Sequence, residues 1–211
     1  MVIGTETLHG GTRVDRTLRR LLNHRPRPIR SGLRAGLVVA ADDRHVALLL
    51  GPREVATARP DGTVTARIAL ATPTVQPRLV YGAESRFGLA NNRLVVVDGR
   101  RLDVYDARSG RLEESTPLVG GASSVSTAGG LVAYVMGREV HVRRLGDGGE
   151  FSVRVGGALA TGVLRDLYIE RLLHADLTTA GLVYSYNLRG RAEPGRVVFV
   201  PRAELERRLA G

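Results

Sequence analysis

Cysteine and lysine are absent from this chain of 211 residues, and each absence excludes a kind of chemistry. A chain without cysteine has no disulfide, no thiol nucleophile, no cysteine-ligated zinc and no iron–sulfur cluster. A chain without lysine has no P-loop lysine and no Schiff-base lysine. No other cofactor motif is present, so the sequence predicts no cofactor.

Long uncharged apolar runs are also missing. The most apolar stretch, residues 33–50, is interrupted by four consecutive polar residues at 42–45, well short of the roughly 18 uncharged residues that cross a bilayer. The first residues turn polar at once, unlike a secretory signal. As written, the chain is expected to be cytoplasmic. If translation begins upstream, an export signal there would make it extracellular or part of the cell envelope.

All 31 basic residues are arginine, against 21 acidic residues, which gives a net charge of +10. Basic proteins often bind nucleic acid or anionic membranes. Here the complete replacement of lysine by arginine is typical of a GC-rich genome, and this weakens the charge as a functional signal. We therefore do not expect nucleic acid as a partner.

Residues 1–31 form a basic N-terminal arm. Apolar residues at helical spacing predict a short amphipathic helix over residues 12–22, which ends before Pro26 and Pro28. One interpretation is a solvated basic face. The other is contact with an anionic partner through the arginines of that helix, which are Arg13, Arg16, Arg19 and Arg20.

A phrase made of a small or polar pair followed by β-forming residues occurs four times, at residues 42–48, 91–97, 129–135 and 180–186. Repeats about forty residues apart are typical of propellers and arrays. Each phrase opens a meander of three or four short antiparallel strands separated by Gly-containing turns. The sequence thus predicts an all-β domain over residues 32–211, with four blades of four strands at about 32–72, 79–119, 122–157 and 158–211.

Two segments near the C-terminus are less regular. Residues 163–177 combine helical spacing with strand-like alternation, and we favour strands because the repeat requires an inner strand before Thr178. Residues 203–209 predict a short terminal helix that follows Pro201.

These features resemble degenerate β-propellers of the TolB-like or WD-repeat-like kind. The resemblance rests on the repeated phrase, on the turn from Asp106 to Gly110 and on the four-strand pacing. The closing segments 180–187 and 195–201 are similar to the last blade of poorly characterised propeller proteins from actinobacteria. The Ser-Pro-Asp-Gly of TolB-like repeats and the Trp-Asp of true WD repeats are missing. The resemblance implies a propeller, and four units suggest a partial one, whose open edge strands either pair with a partner or are guarded by charge.

No catalytic constellation stands out, so the leading hypothesis is a non-enzymatic β-propeller scaffold for a protein or a small ligand. Propellers contact partners with the loops at their rim and channel mouth. The candidate edges are therefore the loops before the apolar runs, with Asp42, Asp43, Asn91, Asn92, Thr178 and Thr179, together with Gly129 and Gly130.

The alternative is a hydrolase or lyase with its site in the propeller channel, for which Asp42, Asp43 and Asp176 are the candidate acids. The five histidines are scattered and lack metal-ligand spacing, and His141 and His174 are interpreted as half-exposed strand residues. Three other polar groups are interpreted as turn or loop residues instead of site residues. Asp106 and Asp147 are predicted to close turns, and residues 123–124 to lie in a loop between blades.

Overall fold

The computed structural model of the chain describes residues 37–71, 86–98, 100–156, 162–164, 167–169, 173–186 and 196–211. These residues form antiparallel sheets in which every strand pairs with its neighbour in sequence. The architecture is that of β-propeller blades, as the sequence predicts. The basic arm and its predicted helix lie outside the described residues.

Three sheets have four strands each. Blade 1 contains β1 (Leu37–Ala41), β2 (Val46–Gly51), β3 (Glu54–Ala58) and β4 (Val64–Ala69). Blade 2 contains β5 (Phe87–Ala90), β6 (Arg93–Val97), β7 (Arg101–Asp106) and β8 (Leu112–Pro117). Blade 3 contains β9 (Ala122–Ala128), β10 (Leu131–Met136), β11 (Glu139–Arg144) and β12 (Glu150–Arg154).

The remaining elements differ from the prediction of a fourth four-stranded sheet. A hairpin of β13 (Gly162–Leu164) and β14 (Leu167–Ile169) precedes blade 4, in which the described residues form three strands: β15 (Leu173–Leu177), β16 (Gly181–Tyr186) and β17 (Arg196–Pro201). The chain then continues as helix α1 (Arg202–Ala210) instead of an outer strand. Residues 202–210 are rich in Ala, Leu, Glu and Arg, which favour helix over strand. The predicted terminal helix is confirmed.

Continuous apolar runs become strands that are buried on both faces. In β6, Leu94 and Val96 face the core shared with blade 1, whereas Val95 and Val97 face the core shared with blade 3. In β10, Val132 and Tyr134 face blade 2, and the alternate residues face blade 4. A strand between two blades needs apolar side chains at every position, which explains why these runs do not alternate with polar residues.

The blades stack through their inner strands. β1 packs against β5, β5 against β9, and β9 against β15, while no packing of comparable extent joins β1 to β15 among the described elements. Close approach is visible at Gly88 of β5, where a Cβ atom would lie 2.5 Å from Thr127 Cγ2 of β9. The described strands therefore form an open arc of blades.

The position of Ser123 and Ser124 corrects a sequence prediction. They lie within β9 instead of a loop between blades. The register of β9 against β10 shifts between Val125, opposite Tyr134, and Ser123, opposite Val135, so Ser124 occupies an irregularity in the ladder. An inner strand with such a bulge accepts small polar residues that would otherwise indicate a loop.

Candidate interaction face

The turns that join the first and second strands of each blade lie at one end of the blades. In an antiparallel sheet, the turns after the first and third strands are at the same end. Hydrogen bonds connect these two sets: Ala107 N donates to Asn92 O at 2.7 Å, and Leu145 N donates to Gly130 O at 2.9 Å. In blade 4, Arg202 N donates to Ala180 O at 2.9 Å. We call this end, formed by residues 42–45, 59–63, 91–92, 106–111, 129–130, 145–149 and 178–180, the turn face.

Neighbouring blades share this face. The buried hydroxyl of Thr57, at the end of blade 1, donates to Ala107 O of blade 2 at 2.6 Å, and Thr65 Oγ1 donates to the same oxygen at 3.0 Å. Arg202 of α1 donates to Ala128 O at 3.2 Å and to Gly129 O at 2.8 Å in blade 3. At the turn face, hydrogen bonds thus join blade 1 to blade 2 and blade 4 to blade 3.

Asp42 and Asp43 have different roles in the turn of blade 1. Asp42 Oδ1 accepts hydrogen bonds from the backbone N–H groups of Arg44 at 2.8 Å and His45 at 2.7 Å, so it stabilises its own turn. The side chain of His45 is buried beside it, with Nδ1 3.9 Å from Asp42 Oδ1. Asp43 is exposed and lies 3.8 Å from Arg44 Nε. Of the two aspartates, only Asp43 is displayed to solvent.

Asn91 and Asn92 form a tight turn with φ values of 53° and 61°. Asparagine tolerates this left-handed region better than most residues do, and the pair is typical of a type I′ hairpin. Gly129 and Gly130 occupy the equivalent turn of blade 3 with φ values of 55° and 78°. Asn91 is exposed, whereas Asn92 is half-buried beneath it. The second and third pairs of the repeated phrase therefore share one backbone conformation.

Thr178 and Thr179 belong to the turn of blade 4. Thr178 Oγ1 accepts from the N–H groups of Ala180 and Gly181, both at 3.2 Å, and donates to Gly181 O at 3.1 Å. A Cβ atom on Gly181 would overlap Val200 O, so only glycine fits the start of β16. Thr179 is exposed at the tip. Three of the four turns thus display one polar tip side chain: Asp43, Asn91 or Thr179.

Three aspartates close the other turns of this face. Oδ1 accepts a backbone N–H two residues later at Asp61 (Thr63, 2.8 Å), Asp106 (Arg108, 3.1 Å) and Asp147 (Gly149, 3.0 Å). Hydrogen bonds from Ser109 lower the pKa of Asp106, and those from Thr63 lower the pKa of Asp61. The Arg144 guanidinium lowers the pKa of Asp147. Asp106 and Asp147 are turn residues, as the sequence predicts.

The three acids of the enzymatic alternative have separate partners. Asp42 accepts from its own turn, and Asp43 contacts Arg44. Asp176 Oδ1 instead accepts from Ser126 Oγ at 2.5 Å, which joins β15 to β9 between blades 4 and 3. Leu177 N donates to the same serine oxygen at 2.9 Å. This arrangement stabilises the contact between two inner strands and presents no acid–base pair.

Sequence reasoning missed a polar cluster in blade 3 that is extensive among the described residues. Glu150 Oε1 accepts from the buried Tyr134 hydroxyl at 2.6 Å and lies 2.9 Å from His141 Nδ1, and Arg143 Nη1 donates to Glu150 Oε2 at 3.3 Å. Arg143 Nη2 also donates to Glu114 of blade 2. The rings of Tyr134 and His141 stack 5.1 Å apart. The cluster therefore connects three strands of blade 3 to the outer strand of blade 2.

Charge and burial set the pKa values in this cluster. The hydrogen bond between Glu150 and His141, together with those from Tyr134 and Arg143, lowers the pKa of Glu150 to about 2. Burial, reinforced by Glu150, raises the pKa of the Tyr134 phenol well above its usual value. His141 and Arg143 are two positions apart in β11, so both lie on one face of the strand. The same spacing occurs in ordinary exposed strands, and the sequence therefore could not reveal the cluster. Both histidines are predicted from the sequence to be half-exposed: His141 is half-buried, with a side chain 12% exposed, whereas His174 is exposed.

The arginines that are predicted to contact an anionic partner lie outside the described residues. They are Arg13, Arg16, Arg19 and Arg20, and their role stays a prediction. Within the described part of the chain, no group of three or more His, Asp or Glu side chains is arranged to hold a metal. No helix in that part is long and apolar enough to cross a membrane.

Neither a protein-family model nor a characterised protein matches the sequence. Solved structures are similar in fold. Hydrazine synthase from Kuenenia stuttgartiensis matches with a TM-score of 0.51 and 11% identity over 82% of this chain and 47% of that one. BamB from Moraxella catarrhalis matches with a TM-score of 0.46 and 12% identity over 72% of this chain and 47% of that one. The computationally designed Ika4 protein matches with a TM-score of 0.49 and 10% identity over 79% of this chain and 93% of that one.

The match to hydrazine synthase, a β-propeller protein, supports the propeller fold. At this low identity the likeness concerns the fold alone. The chain spans about half the length of hydrazine synthase and of BamB. The fold class predicted from the repeated phrase is confirmed.

Proposed function

We propose that the chain is a non-enzymatic β-propeller scaffold that binds a protein partner through the turn face. The observation that carries this proposal is the common placement of the four first turns at one end of the blades. Asp43, Asn91 and Thr179 project from three of them, on a backbone held by hydrogen bonds within and between blades. A rigid surface with polar tips on a fixed frame loses little entropy when a partner binds.

The chemistry of the turn face fits a protein better than a small molecule. The tips combine a carboxylate, an amide and a hydroxyl, and exposed arginines such as Arg44 and Arg108 lie beside them. Mixed charge and spaced hydrogen-bonding groups are typical of the polar parts of protein interfaces. A small ligand would need convergent groups in a concave pocket.

The alternatives have less support. The acids of the hydrolase or lyase hypothesis are engaged in a turn and in an interblade contact. Anionic-partner binding through the N-terminal arm rests on charge alone. The TolB-like or WD-repeat-like and actinobacterial assignment is part of this proposal, and it rests on the repeated phrase and the closing segments.

The test is affinity capture from a lysate of the source organism, with the tagged full chain as bait. A turn-face variant carries Asp43→Ala, Asn91→Gly and Thr179→Ala, where glycine at 91 preserves the positive φ. A control variant carries Arg53→Ala and Arg100→Ala at the opposite end of blades 1 and 2. We expect a stoichiometric protein to be captured by the wild type and the control, with at least a tenfold loss for the turn-face variant.

Thermal unfolding of each bait shows that the blades are intact. Binding of the captured protein is then measured with purified components by calorimetry. If the turn-face variant binds that protein as tightly as the wild type does, the proposed face is wrong. If the wild type captures no protein, or turns over a hydrolase substrate that the lysate contains, the scaffold function is wrong.

A further inference from the structure

Three arginines occupy equivalent positions in three blades. Arg53, Arg100 and Arg138 each directly precede the third strand of a blade and come one or two positions after a glycine. Each carbonyl oxygen accepts a hydrogen bond from the residue that follows the outer strand, at 2.8 Å in blade 1, 2.7 Å in blade 2 and 2.9 Å in blade 3. In blade 4, Arg196 begins β17 directly after Gly195. All four arginines are exposed, so each blade displays a positive charge beside the same turn.

These arginines lie at the end of the blades opposite to the turn face, because the turns after first and second strands are at opposite ends of an antiparallel sheet. We call this end, formed by residues 51–54, 86–87, 98, 100–101, 117–121, 136–139, 154–156 and 196, the arginine face. It holds seven arginines and three acids, whereas the turn face holds four arginines and five acids. Positive charge among the described turns is therefore concentrated at one end.

The placement of these arginines is a separate signal from their number. A genome that favours arginine codons raises the arginine content of the whole chain, but it does not assign arginines to one end of the blades. Two of the three acids on the arginine face are also engaged. Glu54 Oε1 accepts from Arg67 Nη1 at 2.6 Å, and Glu139 Oε1 lies 3.8 Å from Arg154 Nε. The excess of positive charge on this face therefore exceeds what codon preference explains.

The rest of the sequence does not offer a compensating acidic segment. Residues 72–85 and 187–195 connect strands that end at the arginine face, and each segment has one glutamate, against one and two arginines respectively. No segment outside the described residues has more acidic than basic residues. A partner with negative charge is therefore the complement of this face.

An apolar side chain projects from the same face. Leu118 N donates to Arg100 O at 2.7 Å, and Val119, the next residue, is fully exposed. Gly120 follows in open space, with nothing within 4 Å of the position of a Cβ atom. A fully exposed valine adds no buried area to the fold. At a lipid surface, the same side chain gains burial at the boundary between headgroups and acyl chains.

We propose that the arginine face attaches the protein to an anionic lipid bilayer, with its arginines at the level of the phosphates and Val119 between the headgroups. Sheets that pack face to face are about 10 Å apart, so arginines on successive blades are spread over a broad surface and do not converge on one pocket. A bilayer presents anionic headgroups over an equally broad plane. Each arginine near such a surface strengthens binding about fivefold.

Nucleic acid fits these observations less well. Proteins that hold single strands combine basic residues with exposed aromatic side chains on which the bases stack. At this end of the described strands, Phe87 is buried and Tyr186 is half-buried. The lipid proposal does not depend on the proposed protein scaffold, because the two faces are at opposite ends of the blades and separate variants test them.

The first test is co-sedimentation of the full chain with vesicles of phosphatidylcholine that contain about one third phosphatidylglycerol, in about 0.1 M salt. We expect binding to these vesicles and little binding to pure phosphatidylcholine. The arginine-face variant is expected to bind about a hundredfold more weakly, from about fivefold for each of three charges. It combines Arg53→Gln, Arg100→Gln and Arg138→Gln.

The matched control has the same net charge as the arginine-face variant. It replaces three exposed arginines that lie away from this face, and it is expected to keep the affinity of the wild type. These substitutions are Arg59→Gln, Arg111→Gln and Arg207→Gln. A further variant neutralises the N-terminal arm and is expected to keep most of the binding. It carries Arg13→Gln, Arg16→Gln, Arg19→Gln and Arg20→Gln.

The second test measures orientation and uses the absence of cysteine. Val119→Cys and, in a separate protein, Pro60→Cys each carry one environment-sensitive fluorophore, at the arginine face and at the turn face. On the anionic vesicles, we expect the emission of the probe at position 119 to shift to the blue and to be quenched by spin-labelled lipid. The probe at position 60 should keep its emission in water. This readout does not depend on the arginine variants.

Each other outcome overturns the proposal. Equal binding to neutral and anionic vesicles, or binding to neither, excludes anionic lipid as the partner. Loss of binding by the arm variant, with no loss by the arginine-face variant, assigns the contact to the N-terminal arm. A single-stranded oligonucleotide that binds more tightly than the vesicles at the same salt concentration identifies nucleic acid as the partner. Entry of the probe at position 60 into lipid, with the probe at position 119 in water, shows that another face binds.

Discussion

Replacing Leu205 with alanine is expected to lower the free energy of unfolding by about 3 kcal/mol, the usual size for a buried leucine. Leu205 is 0% exposed and lies with Leu209 in the core shared by blades 3 and 4. Helix α1 contacts β11 and β12 of blade 3 as well as β16 and β17 of blade 4. The lost methyl groups therefore leave a cavity at a junction of blades, which urea denaturation measures.

Arg207→Ala is the matched control in the same helix. The Arg207 side chain is 76% exposed, and its ion pair with Glu204 is at the surface. Such pairs contribute well under about 1 kcal/mol, and alanine is a good helix former. Equal losses for Leu205→Ala and Arg207→Ala would show that α1 is not packed between the blades.

The second large effect is expected at Glu150. Glu150→Gln should lower the free energy of unfolding at pH 7 by about 2 kcal/mol, because Arg143 loses one of its two charged acceptors, and His141 and Tyr134 keep only a neutral one. The charge of the carboxylate contributes to stability because its pKa is about 2 in the fold and near 4.5 in the unfolded chain. The expected loss is smaller than the full value of this pKa shift, because the Glu150 side chain is 28% exposed and water screens its charge.

The pH dependence follows from the sign of this shift. A carboxyl whose pKa is lowered by folding contributes its full stability above about pH 4.5 and loses it as the pH falls towards 2. The difference in unfolding free energy between wild type and Glu150→Gln should therefore be constant near neutrality and shrink between pH 4.5 and 2. Urea unfolding at a series of pH values measures this difference.

Glu113→Gln provides a control of similar exposure, because Glu113 is 26% exposed and pairs with Arg93 at 2.9 Å. A single exposed pair should contribute less than about 1 kcal/mol. If the Glu113 and Glu150 variants lose the same stability, the cluster in blade 3 is no stronger than an ordinary surface pair.

The repeated phrase predicted the fold because it combines two local signals. Pairs such as Asn91-Asn92 and Gly129-Gly130 specify tight turns through their positive φ, and the apolar runs after them specify strands buried on both faces. Both signals depend on neighbouring residues only. For this reason the strands of blades 2 and 3 could be predicted without a structure.

Contacts between distant segments could not be predicted in the same way. The bond from Ser126 to Asp176 joins residues 50 positions apart, and the network of Glu150 reaches Glu114 through Arg143. Among the described residues the fourth blade has three strands where the sequence predicts four, and no local pattern in residues 173–186 and 196–201 indicates this difference. The repeated phrase was enough to choose candidate rim residues. It could not show that Asp42 accepts hydrogen bonds within its own turn, because this depends on the geometry of that turn.

The stacking of consecutive blades is tested most directly by a disulfide between two inner strands. A Cβ atom on Gly88 of β5 would lie 3.3 Å from Thr127 Cβ of β9, close to the spacing of a disulfide. Gly88→Cys with Thr127→Cys should therefore oxidise to one intramolecular disulfide, seen by mass and by gel mobility without reductant. Gly88→Cys with Ser126→Cys is the control, because Ser126 points towards β15. If the two thiols introduced at positions 88 and 127 stay reduced in the folded chain, under oxidation that links them readily after unfolding, the stacking of β5 on β9 is wrong.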